Sequence, residues 1–518
     1  MRRFLYISVF SAGLATMAVE LSASRLLGNY FGTSNLVWAA IIGLILIYLS
    51  AGYSLGGKWA DKSPEFSRFF QILLWAGFFV GLIPIISRPI LRFASQAFDQ
   101  LQSASMLGSF VAVLVLFSIP ITLLGTVSPF AIRLAIKDQK EAGSIAGKIY
   151  TISTIGSFIG TFLPVLLLIP LIGTYRTFIA ISLFVLVVGL TGLGLLRKRK
   201  LLIVYLPLLI IVILLAIAGF KGYDKKAEGI IYEGESAYNY IQVQAINDFH
   251  ILRLNEGQGI HSIYYPEQRD FEGPWEQVLS APFFNPAPVS LNGINRIAIL
   301  GLAAGTSANQ INYVFPNTII DGYEIDPQIV NVGYEFFGLS PESVNIHIDD
   351  ARFGITHNEN VYDVISIDAY TPPYIPWHLT TFEFFSIVSD HLTDDGVMII
   401  NVARIFEDRD LLHTLYTTIE SVYKDVYIVD LPNTLNSMIF ATKSKSDPEN
   451  LLQNYIQLSL KTETPSLLLS TIENTYLNLQ PAPEVNEVIF TDDKAPIEWI
   501  TNKMILKLFF SEELQNLQ

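Results

Sequence analysis

Up to residue 220 the chain repeats one pattern, a run of about twenty apolar residues followed by a short polar break. A helix of that length spans the hydrocarbon core of a bilayer. Seven such runs lie near 4–27, 35–57, 69–90, 107–134, 145–172, 174–196 and 201–220. The first holds Glu20 and Arg25, lacks a small-residue cleavage site and is followed by further runs, so it does not read as a signal peptide. Gly52, Gly56, Gly57, Gly156, Ser157 and Gly160 are small enough for helices to approach closely. Pro120, Pro129, Pro164 and Pro170 are expected to kink or end their helices.

Residues 221–236 read as a linker. From 238 the period drops to two. Segments 238–243, 249–254 and 260–265 alternate as short antiparallel strands, with turns at Asn247-Asp248 and Asn255-Glu256-Gly257. A helix is expected over 273–280. From 296 continuous apolar runs at 297–300, 318–323, 344–348, 362–367 and 397–402 alternate with helical stretches, and strand candidates at 426–429 and 438–441 follow. That texture predicts a parallel sheet covered on both faces. The expected domains are 1–220, 221–290, 291–445 and a helical C-terminal extension, 446–518.

Composition sharpens this division. Of 518 residues, 51% are hydrophobic and the mean hydropathy is +0.42, which excludes disorder and argues against a purely soluble protein. Residues 1–220 hold 17 Lys+Arg against 6 Asp+Glu, and the remainder 16 against 41, with all seven His. So acidic a second half argues against nucleic acid as a partner and favours a cationic substrate, although much of the surplus acid serves solubility. The absence of cysteine excludes disulfides, thiolate metal sites and cysteine nucleophiles. Thirteen basic residues in the apolar half fall on one side of the expected spans, among them Arg2, Lys62, Arg68, Lys148 and 197–200. Arg25, Arg88, Arg92 and Arg176 fall elsewhere. The positive-inside rule then gives a multi-pass membrane protein with a cytoplasmic N-terminus. An odd number of spans puts the acidic half outside. A re-entrant span puts it inside, which Lys221, Lys225 and Lys226 favour. Glu20, inside the first run, reads either as an intramembrane cation or substrate site or as a helix-packing hydrogen bond.

The chemistry-bearing residues follow the strands. After 297–300 comes Gly301-Leu302-Ala303-Ala304-Gly305-Thr306, a turn of small residues that lets backbone approach a ligand. The second strand ends at Glu324-Ile325-Asp326, about 20 residues on, where an acid can accept ribose hydroxyls. The third ends at Asp349-Asp350-Ala351, where a carboxylate can accept from an adenine amino group, and the fourth at Asp368-Ala369-Tyr370-Thr371-Pro372-Pro373. Any one of these acids alone reads as a cap or a solvated loop residue. A turn or an acid at the carboxyl ends of four successive strands reads as a nucleoside site.

These residues resemble the polyamine aminopropyltransferase (spermidine synthase) family in its membrane-fused bacterial branch. The resemblance covers 235–445. It is carried by Glu235-Ser236-Ala237-Tyr238-Asn239-Tyr240-Ile241, Leu254-Asn255-Glu256-Gly257-Gln258, the Gly301 turn, Tyr323-Glu324-Ile325-Asp326, Asp350-Ala351-Arg352-Phe353 and Asp368 with its loop. The late Thr491-Asp492-Asp493-Lys494-Ala495-Pro496-Ile497-Glu498 resembles a closing motif of fused members. The resemblance implies a multi-span α-helical membrane domain, a small antiparallel β-domain and a Rossmann-like α/β domain of methyltransferase type. It implies transfer of an aminopropyl group from decarboxylated S-adenosylmethionine, a co-substrate, to putrescine or a related amine, with no cofactor and no metal. By position, Asn239, Gly301, Gly305, Glu324, Asp350 and Ala351 would hold the nucleoside and Asp368 would take the amine's proton. Tyr370, Thr371 and Glu276 are acceptor-side candidates. The expected partners are the amine, the adenosyl donor, the lipid bilayer and further copies of the chain as a homo-oligomer.

This sequence departs from the family at three places. Ala304 stands where an Asp grips the donor's amine, Thr371 where a second Asp serves the acceptor, and Asn239 where Gln is usual. Asp326, Glu276 or the Asp492-Asp493 pair are candidates to compensate. Two other readings stay open: an S-adenosylmethionine-dependent methyltransferase, and a non-catalytic transporter or sensor that binds a nucleoside or polyamine.

Overall fold

The structure, a computed structural model, describes residues 1–31, 35–99, 104–219, 225, 227–255, 259–371, 374–404, 408–484 and 488–510. Glu256, Gly257, Gln258, Lys221, Lys226, Pro372 and Pro373 lie outside the described residues. The chain divides into two compact units, Met1–Lys226 and Ala227–Gln518.

The first unit is helical: α1 (Arg2–Phe31), α2 (Asn35–Lys62), α3 (Phe66–Asp99), α4 (Ala104–Ala135), α5 (Ala142–Leu163), α6 (Ile169–Ile172), α7 (Thr174–Leu195) and α8 (Arg199–Ala218). A π-helical turn, Pro164–Leu168, joins α5 to α6, so one continuous rod runs over Ala142–Ile172. Among the described residues, seven helices of the unit are long and apolar enough to cross a membrane, the Ala142–Ile172 rod counting as one. The prolines do not end them. Pro120 and Pro129 lie within α4, and Pro164 only widens a turn. Each proline removes one backbone hydrogen bond, and in an apolar setting the remaining bonds still favour helix. The small residues act as expected at two crossings. A Cβ on Gly52 or Gly56 would strike the α4 backbone at Thr122 or Thr126, and one on Gly156 or Gly160 would strike α1 at Phe10 or Leu14. Gly57 faces open space. Ser182 Oγ donates across helices to Gly77 O at 2.6 Å. Ile47, Ile203 and Val204 stay more than 60% exposed, as lipid-facing positions would.

The second unit begins with a four-stranded antiparallel sheet, β1 (Ile230–Glu235), β2 (Tyr240–Ile246), β3 (Phe249–Leu254) and β4 (Ser262–Tyr264), in that order. Strand β1 occupies part of the expected linker; Ile230-Ile231-Tyr232-Glu233-Gly234 has no clean alternation to betray it. Asn247 and Asp248 both have positive φ, as a tight hairpin requires. The helix expected at 273–280 is instead two short 3₁₀ turns, Trp275–Leu279 and Ala281–Phe284. Pro274 and Pro282 bracket a stretch too short to propagate an α-helix.

An eight-stranded sheet follows: β5 (Arg296–Leu300), β6 (Ile319–Tyr323), β7 (Asn345–His347), β8 (Tyr362–Ile367), β9 (Leu392–Ala403), β10 (Asp425–Asp430), β11 (Asn436–Thr442) and β12 (Leu479–Gln480). Its order is β12-β10-β11-β9-β8-β5-β6-β7. Strands β5 to β9 are mutually parallel, while β11 pairs antiparallel with both β9 and β10. This is the Rossmann-like, methyltransferase-type arrangement that the resemblance implies. The Phe384, Phe385, Leu411 and Leu415 side chains of α12 (Phe382–Asp390) and α13 (Asp410–Glu420) cover one face, with α11 (Ala351–Thr356). The other face carries α9 (Thr306–Val314), α14 (Glu449–Ser459) and α15 (Ser466–Leu477). Thus Leu451, Leu468 and Ile472 join the sheet's own core, and 449–480 are part of the α/β unit. α10 (Pro327–Phe336) packs its Ile329 and Val332 against Ile241, Val243 and Leu252 of the small sheet. α16 (Ile497–Phe510) closes the described chain.

Candidate active site

Strand order reverses at β5, which pairs with β6 on one side and β8 on the other. The crevice beyond the carboxyl ends at such a switch point is where open α/β sheets take ligands. Gly301 turns the chain there with φ +100°, and a Cβ on it would strike the Asp368 backbone. Gly305 (φ +94°) starts α9, and Ala303 (φ +48°) also takes a left-handed conformation. The Asp368 amide donates to Leu300 O at 2.9 Å, locking the end of β8 beside the turn.

Glu324 connects the turn to β6. Its Oε2 accepts from Ala303 N and its Oε1 from Asp326 N, each at 3.0 Å. Burial pushes its carboxyl up to about 7, against the pull of those amides. Asp368 Oδ1 accepts from Asn401 Nδ2 at 2.9 Å, and its Oδ2 has no protein partner among the described residues. Burial raises the Asp368 carboxyl to about 6, a rise that the Asn401 bond moderates. The Tyr370 hydroxyl donates to Asn401 O and accepts from Ala403 N, both at 3.0 Å. It pins the segment after Asp368 to β9. Thr371 pairs its backbone with Tyr374 at 2.8 and 2.9 Å and is exposed.

Asp350 caps α11 through Oδ1, which accepts from Arg352 N and Phe353 N at 3.0 Å, while Oδ2 lies 3.0 Å from His378 Nε2. The His378 bond holds its carboxyl below the usual range. Ala351 is buried in the first turn of α11. Asn239 reaches the site indirectly: its Nδ2 donates to Asp326 Oδ2 at 2.9 Å, and Ser236 Oγ donates to the same oxygen at 2.5 Å. Asp326 Oδ1 caps α10 at Gln328 N, so this fully buried carboxylate ties the small sheet to the large domain.

The structure therefore gathers Gly301, Gly305, Glu324 and Asp368 around one turn, with Asp350 and Ala351 one strand further on and Asn239 in support. Glu276 is placed otherwise. Its oxygens accept from Phe271 N at 2.6 Å and Gly273 N at 3.0 Å, and burial raises its carboxyl to about 7. Asp492 is likewise engaged, in a two-pronged pair with Arg352 at 2.7 and 2.6 Å and with Thr381 Oγ1 at 2.7 Å. Ala304 is fully buried in the apolar cluster with Ile241, Val243 and Val332, and its amide donates to Ser262 Oγ at 3.0 Å.

Asn401, His378 and Ser262 were absent from the sequence reading, and Ser236 stood in the 235–241 motif without a role. Asn401 had a signal, as a polar residue inside the apolar run 397–402. The two serines had none, because their partners are distant in sequence. Among the described residues, no group of three or more His, Asp or Glu could hold a metal ion.

The spermine/spermidine synthase domain matches residues 295–454. Residues 295–454 belong to the spermine/spermidine synthase family. Members of that family use decarboxylated S-adenosylmethionine as a substrate and require no cofactor. A probable polyamine aminopropyl transferase of Bifidobacterium longum is 31% identical over 294 residues, which is 54% of this chain and 64% of that protein. The polyamine aminopropyltransferase of Oceanobacillus iheyensis is 26% identical over 452 residues, 81% of this chain and 82% of its own. The crystal structure of spermidine synthase from Thermotoga maritima is similar with 21% identity and a TM-score of 0.38, covering 48% of this chain and 84% of that one.

Proposed function

We propose that this chain is a membrane-anchored polyamine aminopropyltransferase, moving the aminopropyl group of decarboxylated S-adenosylmethionine to putrescine or a related amine. The observation that carries the reading is Asp368, set against the Gly301 turn with one oxygen held by Asn401 and the other left for a substrate.

The chemistry is a displacement. The amine nitrogen attacks the carbon beside the sulfonium, an N–C bond forms, and the C–S pair passes to sulfur, releasing neutral methylthioadenosine. The leaving group needs no acid. The amine needs a base, because an ammonium has no lone pair. Asp368 Oδ2 receives that proton, and a carboxyl near 6 is mostly ionised at neutral pH while staying basic enough to accept it. The backbone of 301–305 and Glu324 hold the nucleoside, and Asp350 and Ala351 border its base. The seven apolar helices anchor the enzyme in a bilayer with Arg2 and Lys198 on the cytoplasmic face.

A second reading has its own observation. Ala304 offers no carboxylate to the donor's amine and sits in an apolar cluster. This relaxes selection against a donor that bears an α-carboxylate, as in a methyltransferase. Product analysis separates the two. With each donor in turn and putrescine as acceptor, methylthioadenosine and a longer polyamine support the first reading, and S-adenosylhomocysteine supports the second.

A further inference from the structure

The first unit contains a pocket of about 910 Å³ bounded by α2, α3, α4 and the start of α8. Its lining is graded from end to end. Lys62, Arg68 and Lys198 stand at one end with Glu65, which accepts from Ser67 Oγ at 2.9 Å. None of the three cations enters an ion pair or side-chain hydrogen bond with another described residue. At mid-depth Tyr205 donates to Gln71 Oε1 at 3.3 Å, and Trp75 packs edge-on against Tyr205 with ring centres 6.2 Å apart. Beyond them the wall is Phe79, Ile119 and Leu123. From Arg68 to Phe79 along α3 is about 16 Å at the helical rise. Trp75 and Ile119 are 39% and 50% exposed, so the apolar end opens on the flank of the bundle.

Three unpaired cations at the mouth call for an anion, and an apolar slot running along the helices calls for a hydrocarbon tail. Basic residues at helix ends beside interfacial aromatics are the chemistry that retains an acidic headgroup. We propose that this pocket is a binding site for an anionic phospholipid, its phosphate against Lys62, Arg68 and Lys198 and an acyl chain along Trp75, Phe79 and Leu123. The inference rests on the membrane reading above. Since the cations share the expected cytoplasmic side, the lipid comes from the inner leaflet.

The test uses the full chain in detergent and native mass spectrometry, with phosphatidylglycerol and phosphatidylcholine of the same acyl chains as probes. Phosphatidylglycerol should be retained at least about tenfold more strongly, and a K62Q/R68Q/K198Q variant should lose that preference. An R199Q/K200Q variant, which removes two neighbouring cations outside the pocket, should keep it. Inorganic phosphate should not displace the lipid; displacement would show that the site reads a free anion and would overturn the proposal. Equal retention of the two lipids, or an unaffected triple variant, would also overturn it. A carbonate wash of the membranes separates this failure from failure of the membrane reading. Release of the chain by the wash sinks both, whereas a chain that stays in the membrane but binds the two lipids equally sinks only the lipid site.

Discussion

The proposed reading makes Asp368 the base and Glu324 the nucleoside anchor, and each makes its own prediction. Glu324 offers two buried carboxyl oxygens beside the turn, so Glu324→Ala removes acceptors worth roughly 0.5–3 kcal/mol per hydrogen bond. Calorimetry with methylthioadenosine should show affinity at least about tenfold weaker, and unaltered binding would remove Glu324 from the nucleoside site. Asn401 acts through Asp368. Its hydrogen bond favours the ionised carboxylate, so Asn401→Ala should raise the Asp368 carboxyl further above its ordinary range. Base competence exists above that value and is lost as pH falls through it. The acid limb of kcat/KM should therefore lie near 6 in the parent and move to higher pH in the variant. A limb that stays in place would show that Asn401 does not tune the base. At this scale the sequence exposed the acids at strand ends but not their commitments. Asp350 and Glu276 are charged in sequence and in the fold spend their oxygens on backbone amides or histidine, which only three-dimensional placement decides.

Elements were legible wherever the apolar period was long and unbroken. The seven helices and β5 to β11 stand where the pattern puts them, because core burial and apolar length both act on a local signal. Strands β1 and β12 were not legible. Both are edge strands, half-buried, and defined by pairing rather than by their own residues. The joint between the small sheet and α10 was equally silent, because Asp326 meets Ser236 and Asn239 across some ninety residues. It should nevertheless matter. Asp326→Ala strips a buried carboxylate from three donors and should cost roughly 3 kcal/mol or more. Thermal melting of the acidic unit in the full chain should fall by several degrees, and an unchanged transition would show that other contacts hold the small sheet.

At the scale of the molecule, an apolar basic unit and an acidic family domain share one chain. The charge split was visible in composition, and the one-sided basic residues of the first unit predict an orientation that can be tested cleanly because the chain has no native cysteine. A single cysteine placed at Lys198 should resist an impermeant maleimide in intact cells and react after permeabilisation; labelling in intact cells would reverse the orientation. The central claim, that the unit carrying Asp368 transfers aminopropyl groups, has a more direct test. Purified full-length protein is given decarboxylated S-adenosylmethionine with putrescine and with longer amines, and methylthioadenosine release is followed for the parent and for Asp368→Asn. The account predicts transfer by the parent and a turnover lower by about 10²–10⁴-fold in the variant, with methylthioadenosine binding retained. A parent that transfers to none of the amines would contradict it.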